Sequence, residues 1–224
     1  MCGFVGFISN RLLEPNNHKQ NQMVERTNII THRGPDDAGF YTDDTIQFGF
    51  RRLSIIDLEG GHQPLSYEDD RFHIIFNGEI YNYVELREEL VKAGMSFKTT
   101  SDTEVIVALY AAKGPEAVKD LRGMFGFVIW DKVEKTVFAA RDPFGIKPFY
   151  YMETADGLFF ASEKKSLLIG ADPAPVARKA LQHYLTFQFV PEPETMAENI
   201  KRLTPGHYLI KKVGEPIEIR PYWQ

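Results

Sequence analysis

The chain has 224 residues, enough for one large domain or two small ones at roughly 150 residues each. With 43% hydrophobic and 25% charged residues, 17 Gly and 13 Pro, it is neither collagen-like nor low-complexity. A formal charge of −5 argues against nucleic acid or an anionic membrane as partner, and no apolar run nears the roughly 18 residues of a transmembrane helix.

Gly3–Ser9, with Phe4, Val5, Phe7 and Ile8 between glycines, predicts a buried first strand. A polar stretch over 10–21 precedes a helix predicted at 23–30, and 31–37, with its Gly-Pro and paired Asp, reads as a loop. Short strands are predicted at 39–41 and 46–56 and, after the Gly60-Gly61 break, at 71–76. Asn82-Tyr83-Val84-Glu85 has the spacing of a capped helix start, with Val84, Leu86, Leu90 and Val91 as its apolar stripe. A second capping box, Ser101-Asp102-Thr103-Glu104, opens a helix through Ala112.

Strands then follow in quick succession at 124–130, 136–140, 148–152 and 158–161, with Asp156-Gly157 as a hairpin signal. A helix at 177–185, an extended Pro-punctuated stretch at 190–194 and strands at 207–211 and 217–222 complete the order. Adjacent strands joined by short turns predict antiparallel sheets in one domain of α+β class rather than repeated βαβ units.

Cys2 is the one cysteine, which excludes an intramolecular disulfide and a multi-cysteine metal site. Met1-Cys2-Gly3-Phe4 lacks the basic start of a secretory signal, so the expected compartment is the cytoplasm. A lone Cys reads either as a small buried hydrophobe or, directly after a removable Met, as a nucleophile with its own α-amino group as base. Asn77-Gly78-Glu79 reads either as a hairpin turn or as an oxyanion hole built from the Asn77 amide and a backbone N–H. Alternation sends Arg51 and Arg52 to opposite faces, one inward to a carboxylate, unless both are solvated. Asp102 fits a helix first turn on dipole grounds alone. The six histidines show no metal-ligand spacing, no P-loop or Rossmann fingerprint is present, and Met95, Met124 and Met152 read as core.

Several motifs occur together and in order: Met1-Cys2-Gly3-Phe4-Val5-Gly6, His32-Arg33-Gly34-Pro35-Asp36, Arg52-Leu53-Ser54-Ile55-Ile56-Asp57 and Phe76-Asn77-Gly78-Glu79-Ile80-Tyr81-Asn82. Ser101-Asp102-Thr103-Glu104, Gly123-Met124-Phe125-Gly126-Phe127, Arg141-Asp142-Pro143-Phe144-Gly145-Ile146-Lys147-Pro148 and Ala161-Ser162-Glu163-Lys164 follow. This set resembles the N-terminal glutaminase domain of class II glutamine amidotransferases, and within them the glutamine-hydrolysing asparagine synthetase family. The resemblance implies an N-terminal nucleophile hydrolase fold, an αββα sandwich of two stacked antiparallel sheets between helical layers.

It also implies roles. Cys2, exposed by loss of Met1, attacks the side-chain amide of L-glutamine; Asn77 and the Gly78 backbone hold the oxyanion. Arg52 pairs with the substrate carboxylate, assisted by backbone groups of Leu53, Ser54, Ile55 and Ile56, while Glu79 and Asp102 receive the α-ammonium. No metal or cofactor is expected in this domain. ATP and Mg belong to a C-terminal synthetase domain, the expected partner, whose Ser-Gly-Gly-x-Asp-Ser motif this sequence lacks. The chain, 1–224, thus reads as one glutaminase unit of a longer protein, with its assembly left open, a homodimer among the options. The alternatives are the same domain from an amidotransferase acting on another carboxylate or an amino sugar, and a silent partner-binding module.

Overall fold

In a computed structural model of the chain, the described residues are 1–13, 17–53, 61–171 and 174–223, with the side chains of 17–20 left aside. Strand β1 (Gly3–Ser9) is apolar on both faces, as a strand covered on both sides must be. Its Phe4 and Ile8 point one way and Val5 and Phe7 the other, into two different cores. It therefore sits inside a sheet, antiparallel to β3 (Ile46–Arg52) on one edge and β9 (Gly157–Ala161) on the other. With β2 (Asp37–Thr42), β8 (Tyr150–Thr154) and β10 (Lys201–Arg202) the first sheet runs β10-β8-β9-β1-β3-β2.

The second sheet is built on the long pairing of β5 (Phe72–Ile80) with β6 (Gly123–Asp131), Asn77 opposite Gly126 and Gly78 opposite Phe125. With β4 (Leu65–Tyr67), β7 (Thr136–Arg141), β11 (His207–Lys212) and β12 (Glu218–Pro221) its order is β12-β11-β7-β6-β5-β4, every pairing antiparallel. The two sheets face each other across Phe4, Phe48, Phe50, Ile75, Val128, Trp130 and Phe160, each fully or almost fully buried. Each such side chain stabilises the stack by about 1.5–3 kcal/mol.

Helices cover both outer faces. On the first sheet, Met23 of α1 (Asn17–Asn28) and Leu167 of α4 (Lys164–Leu168) pack with Val5, Phe7 and Met152. On the second, Leu86 and Leu90 of α2 (Tyr83–Lys92) and Val105–Leu109 of α3 (Asp102–Lys113) pack on Phe72, Ile74, Phe76, Phe125 and Phe127. Helix α5 (Arg178–Phe187) buries only Ala180. The layering is the expected αββα sandwich.

Four expectations need correction. The first helix covers Asn17–Asn28, and Thr31–Arg33 forms a separate 3-10 turn. The Asn82 side chain caps nothing: its carboxamide donates to the Asp120 carbonyl at 2.9 Å and accepts from the Arg122 N–H at 2.9 Å, tying α2 to the loop before β6. Val84 and Val91 of the predicted stripe are exposed, because Leu86 and Leu90, one turn apart, are the pair that faces the sheet. Asn77-Gly78 is no turn; the strand runs straight through it to Ile80. Ser54–Ile56 lie outside the described residues. No described helix is long and apolar enough to cross a membrane.

Candidate active site

The residues singled out in the sequence converge. A cavity of about 140 Å³ is lined by Cys2, Arg52, Leu53, Asn77, Gly78, Glu79 and Asp102, with Met1, Gln63, Met124 and Lys147 among the rest of its wall. A larger cavity of about 370 Å³, on the outer face of the first sheet beside Met23 and Phe159, holds no cysteine among its described lining residues. We place the site at the first, on its chemistry.

Cys2 enters β1 on a chain pinned from both sides. Arg33 Nε donates to the Cys2 carbonyl at 2.9 Å, and Arg33 Nη1 pairs with Glu163 at 3.1 Å. Phe4 N–H donates to Ser162 Oγ at 3.1 Å, and Ser162 N–H returns a bond to the Phe4 carbonyl at 2.9 Å. A side chain at position 3 would meet Arg33 Cδ at 2.9 Å, so Gly3 is what lets the guanidinium reach across. The half-buried Cys2 Sγ accepts from the Leu53 N–H at 3.4 Å and lies 3.6 Å from the Leu53 carbonyl. Burial pushes its thiol pKa up, against the opposing pull of the Leu53 N–H, the N-terminal charge, Arg52 and Arg33. A thiol so held keeps its proton at neutral pH and needs a base to become a nucleophile.

The electrophilic side of the site is an interrupted sheet edge. Strand β4 stops pairing with β5 at Leu65–Ile74, and among the described residues no strand pairs with the far part of β5 on that side. The Gln63 carboxamide takes the first open position, accepting from the Phe76 N–H at 2.6 Å and donating to its carbonyl at 3.3 Å. Asp102 takes the last, Oδ2 accepting from the Ile80 N–H at 3.0 Å. Alternation points the Gly78 N–H to the same edge, between these two filled positions and into the cavity. A Cβ on Gly78 would meet the Met124 carbonyl at 2.2 Å, so only Gly lets the two strands approach this closely here. Beside it, Asn77 is 1% exposed and its Nδ2 is buried with no hydrogen-bond partner. Buried amide donors are rarely left unmade without a reason.

Arg52 ends β3 at 5% exposure, and Arg51 on the other face bonds Asn28, so one arginine of the pair does turn inward. Asp102 opens α3 behind the N-cap Ser101, whose Oγ accepts from the Glu104 N–H. Its carboxyl is pushed up to about 6, first by burial and further by the Glu79 charge, against the Ile80 N–H. The cavity thus brings together two cations, Arg52 and Lys147, two carboxyl groups, Glu79 and Asp102, the Cys2 thiol, and two donors, Asn77 Nδ2 and the Gly78 N–H.

Four positions that the sequence reading left without a role also shape the site: Arg33, Gln63, Lys147 and Glu163. Arg33, Lys147 and Glu163 lie inside the quoted motifs, so their presence was visible but their partners, up to 146 residues away, were not. Met124 lines the cavity rather than the core.

Two stacked antiparallel sheets between helical layers thus carry a near-terminal cysteine at the start of an inner strand. The family described as "Glutamine amidotransferase domain" matches residues 1–223, and the chain belongs to it. It is 48% identical over its whole length to asparagine synthetase [glutamine-hydrolyzing] 1 of Bacillus subtilis, of which it spans 35%. It is 42% identical, over 92% of its length, to a putative asparagine synthetase of Mycobacterium tuberculosis, spanning 34% of it. Amidase chyE of Penicillium rubens is 35% identical over the whole chain, which spans 34% of that protein. The glutamine phosphoribosylpyrophosphate amidotransferase of B. subtilis shares the fold, at a TM-score of 0.69 and 20% identity, over 99% of this chain and 49% of that one. The chain therefore spans about a third of the length of the curated relatives it matches.

Proposed function

We propose that this chain hydrolyses the side-chain amide of L-glutamine to glutamate and ammonia through a thioester on Cys2. Loss of Met1 frees the Cys2 α-amino group, which takes the Sγ proton. The thiolate adds to the amide carbon, and the oxygen, now negative, is received by Asn77 Nδ2 and the Gly78 N–H. Collapse breaks the C–N bond, and the amine returns its proton to the departing ammonia. Water then adds to the thioester and releases glutamate, restoring the thiol. Arg52 holds the substrate carboxylate with backbone groups of Leu53 to Ile56, and Glu79 and Asp102 hold its α-ammonium, fixing the amide at the nucleophile.

The observation that carries this reading is the buried, unpartnered Asn77 Nδ2 in the same cavity as the thiol of Cys2. Its test is ammonia release from glutamine by the Met1-trimmed chain. Trimmed, folded protein that releases none overturns it.

In the longer protein, the ammonia would serve ATP-dependent conversion of aspartate to asparagine, carried out with ATP and Mg by a following synthetase segment. The relatives named asparagine synthetase, at 48% and 42% identity, favour this acceptor over that of the amidase at 35%. The cytoplasm, where thiols stay reduced, suits such a nucleophile.

Asp102 yields a pH prediction. It binds the substrate ammonium only when ionised, so KM for glutamine should rise as pH falls through about 6. Between its ordinary value of 3.8 and about 6, the folded chain binds this proton more tightly than the unfolded one. Stability is therefore lost as pH rises through that window, on the order of 3 kcal/mol. Asp102→Asn should raise KM, flatten its dependence near pH 6, and raise the melting temperature at pH 7 but not at pH 4. A variant whose KM keeps the wild-type pH dependence would exclude this role.

A further inference from the structure

The strongest feature the mechanism leaves unused is Lys147. It is 4% exposed, yet its ammonium has no carboxylate at hydrogen-bond distance among the described residues; Nζ lies 3.1 Å from the Met1 thioether sulfur. Its backbone is clamped on both sides. The Lys147 N–H donates to Asp142 Oδ2 at 2.9 Å, and its carbonyl accepts from Arg141 Nε at 2.8 Å. Arg141 is itself fixed by the Leu203 and Gly145 carbonyls, and Asp142 by the N–H groups of Phe125, Phe144 and Ile146. The backbone at Lys147 is thereby held where its buried side chain reaches the N-terminal residue.

We propose that Lys147 is a positioning residue for the nucleophile: its buried ammonium holds the α-amino group of Met1-trimmed Cys2 in the uncharged, proton-accepting form. The proposal rests on the glutaminase reading, which needs that amine as a base. Two ammonium groups in one desolvated cavity cannot both stay charged cheaply, and the weaker base yields. An α-amine ordinarily titrates near 7.7–8.0 and a lysine near 10.4, so the amine is the one that gives up its proton.

The other charges facing this corner are of both signs. Arg33, on the Cys2 carbonyl, is answered by Glu163. The Asp142 oxygens are taken up by backbone N–H groups. Arg52 adds a positive charge from the end of β3, and Asp102 a partly protonated carboxyl from α3. Burial, the largest influence, and Arg33 push the Lys147 pKa down, while Glu79 of β5, Asp142 and an ionised Cys2 pull it up. Glu79, which helps keep Lys147 charged, is also a group assigned to the substrate ammonium.

Because the chain holds one cysteine, carbon-13-labelled cysteine reports Cys2 alone. Its Cα and Cβ shifts, followed against pH in chain shown by mass to lack Met1, separate amine from thiol titration. In the wild type the amine midpoint should lie below the ordinary range. In Lys147→Met it should rise by about one pH unit, while Lys147→Arg stays near the wild type. Lys147→Gln serves as the neutral variant should the Met substitution not fold. Unchanged midpoints in the neutral variants, or an Arg variant that moves with them, would overturn the proposal. The titration uses no glutamine, so the two readings fail separately. Expected midpoints without ammonia release from glutamine sink the glutaminase reading alone, and ammonia release with unmoved midpoints sinks the Lys147 role alone.

Discussion

Cys2→Ala should lower glutamine hydrolysis by at least about 10⁴-fold while leaving the fold intact, because it removes the only atom able to form the thioester. The side chain is half-buried and its polar contacts are confined to the Leu53 backbone, so truncation strips little from the core. The melting temperature should stay within a few degrees, and the loss should appear in kcat rather than in glutamine binding. Ammonia release at fixed enzyme concentration reads the effect directly. A Cys2→Ala chain with even a hundredth of wild-type turnover would remove Cys2 from the reaction.

Asn77→Ala is the second large expectation. Its Nδ2 is buried and makes no hydrogen bond in the resting structure, so a donor that stabilises nothing in the ground state is being held ready. Loss of one preorganised oxyanion donor costs about 10²–10³ in kcat, or about 2.7–4 kcal/mol of transition-state stabilisation. The distinguishing signature is a split. The value of kcat should fall by that factor, KM should change little, and thermal stability should hold. A fall in KM affinity with kcat preserved would make Asn77 a ground-state contact and leave the oxyanion to Gly78 alone.

Residue patterns carried the frame of the fold better than its site. The bounds of β1 were legible because both of its faces are apolar, and the strands from β6 to β9 because their periodicity is interrupted by turn residues at regular distances. At Asn77-Gly78 the local signal pointed to a turn and was overridden. A nine-residue ladder with β6 outweighs the propensity of one dipeptide, and Gly is needed there for close strand approach rather than for a bend. The short β4, β10 and α4 escaped because three, two and five residues are too few to show a period. Cys2, Arg52, Asn77 and Asp102 were each ambiguous alone and became a constellation only through their order along the chain. The ties of Arg33 to Cys2 and Glu163, and the bracing of Lys147, join residues far apart in sequence and leave no periodic trace.

The edge of β5 has a consequence for the substrate. An unpaired sheet edge normally invites another chain to add a strand. Here the rung before the gap is occupied by a glutamine carboxamide and the rung after it by an aspartate carboxylate. The gap is one rung long, too short for a foreign strand. On the proposed reading, a carbonyl oxygen arriving at Gly78 completes the ladder as a neighbouring strand would, so the missing strand is only something that ends where it begins.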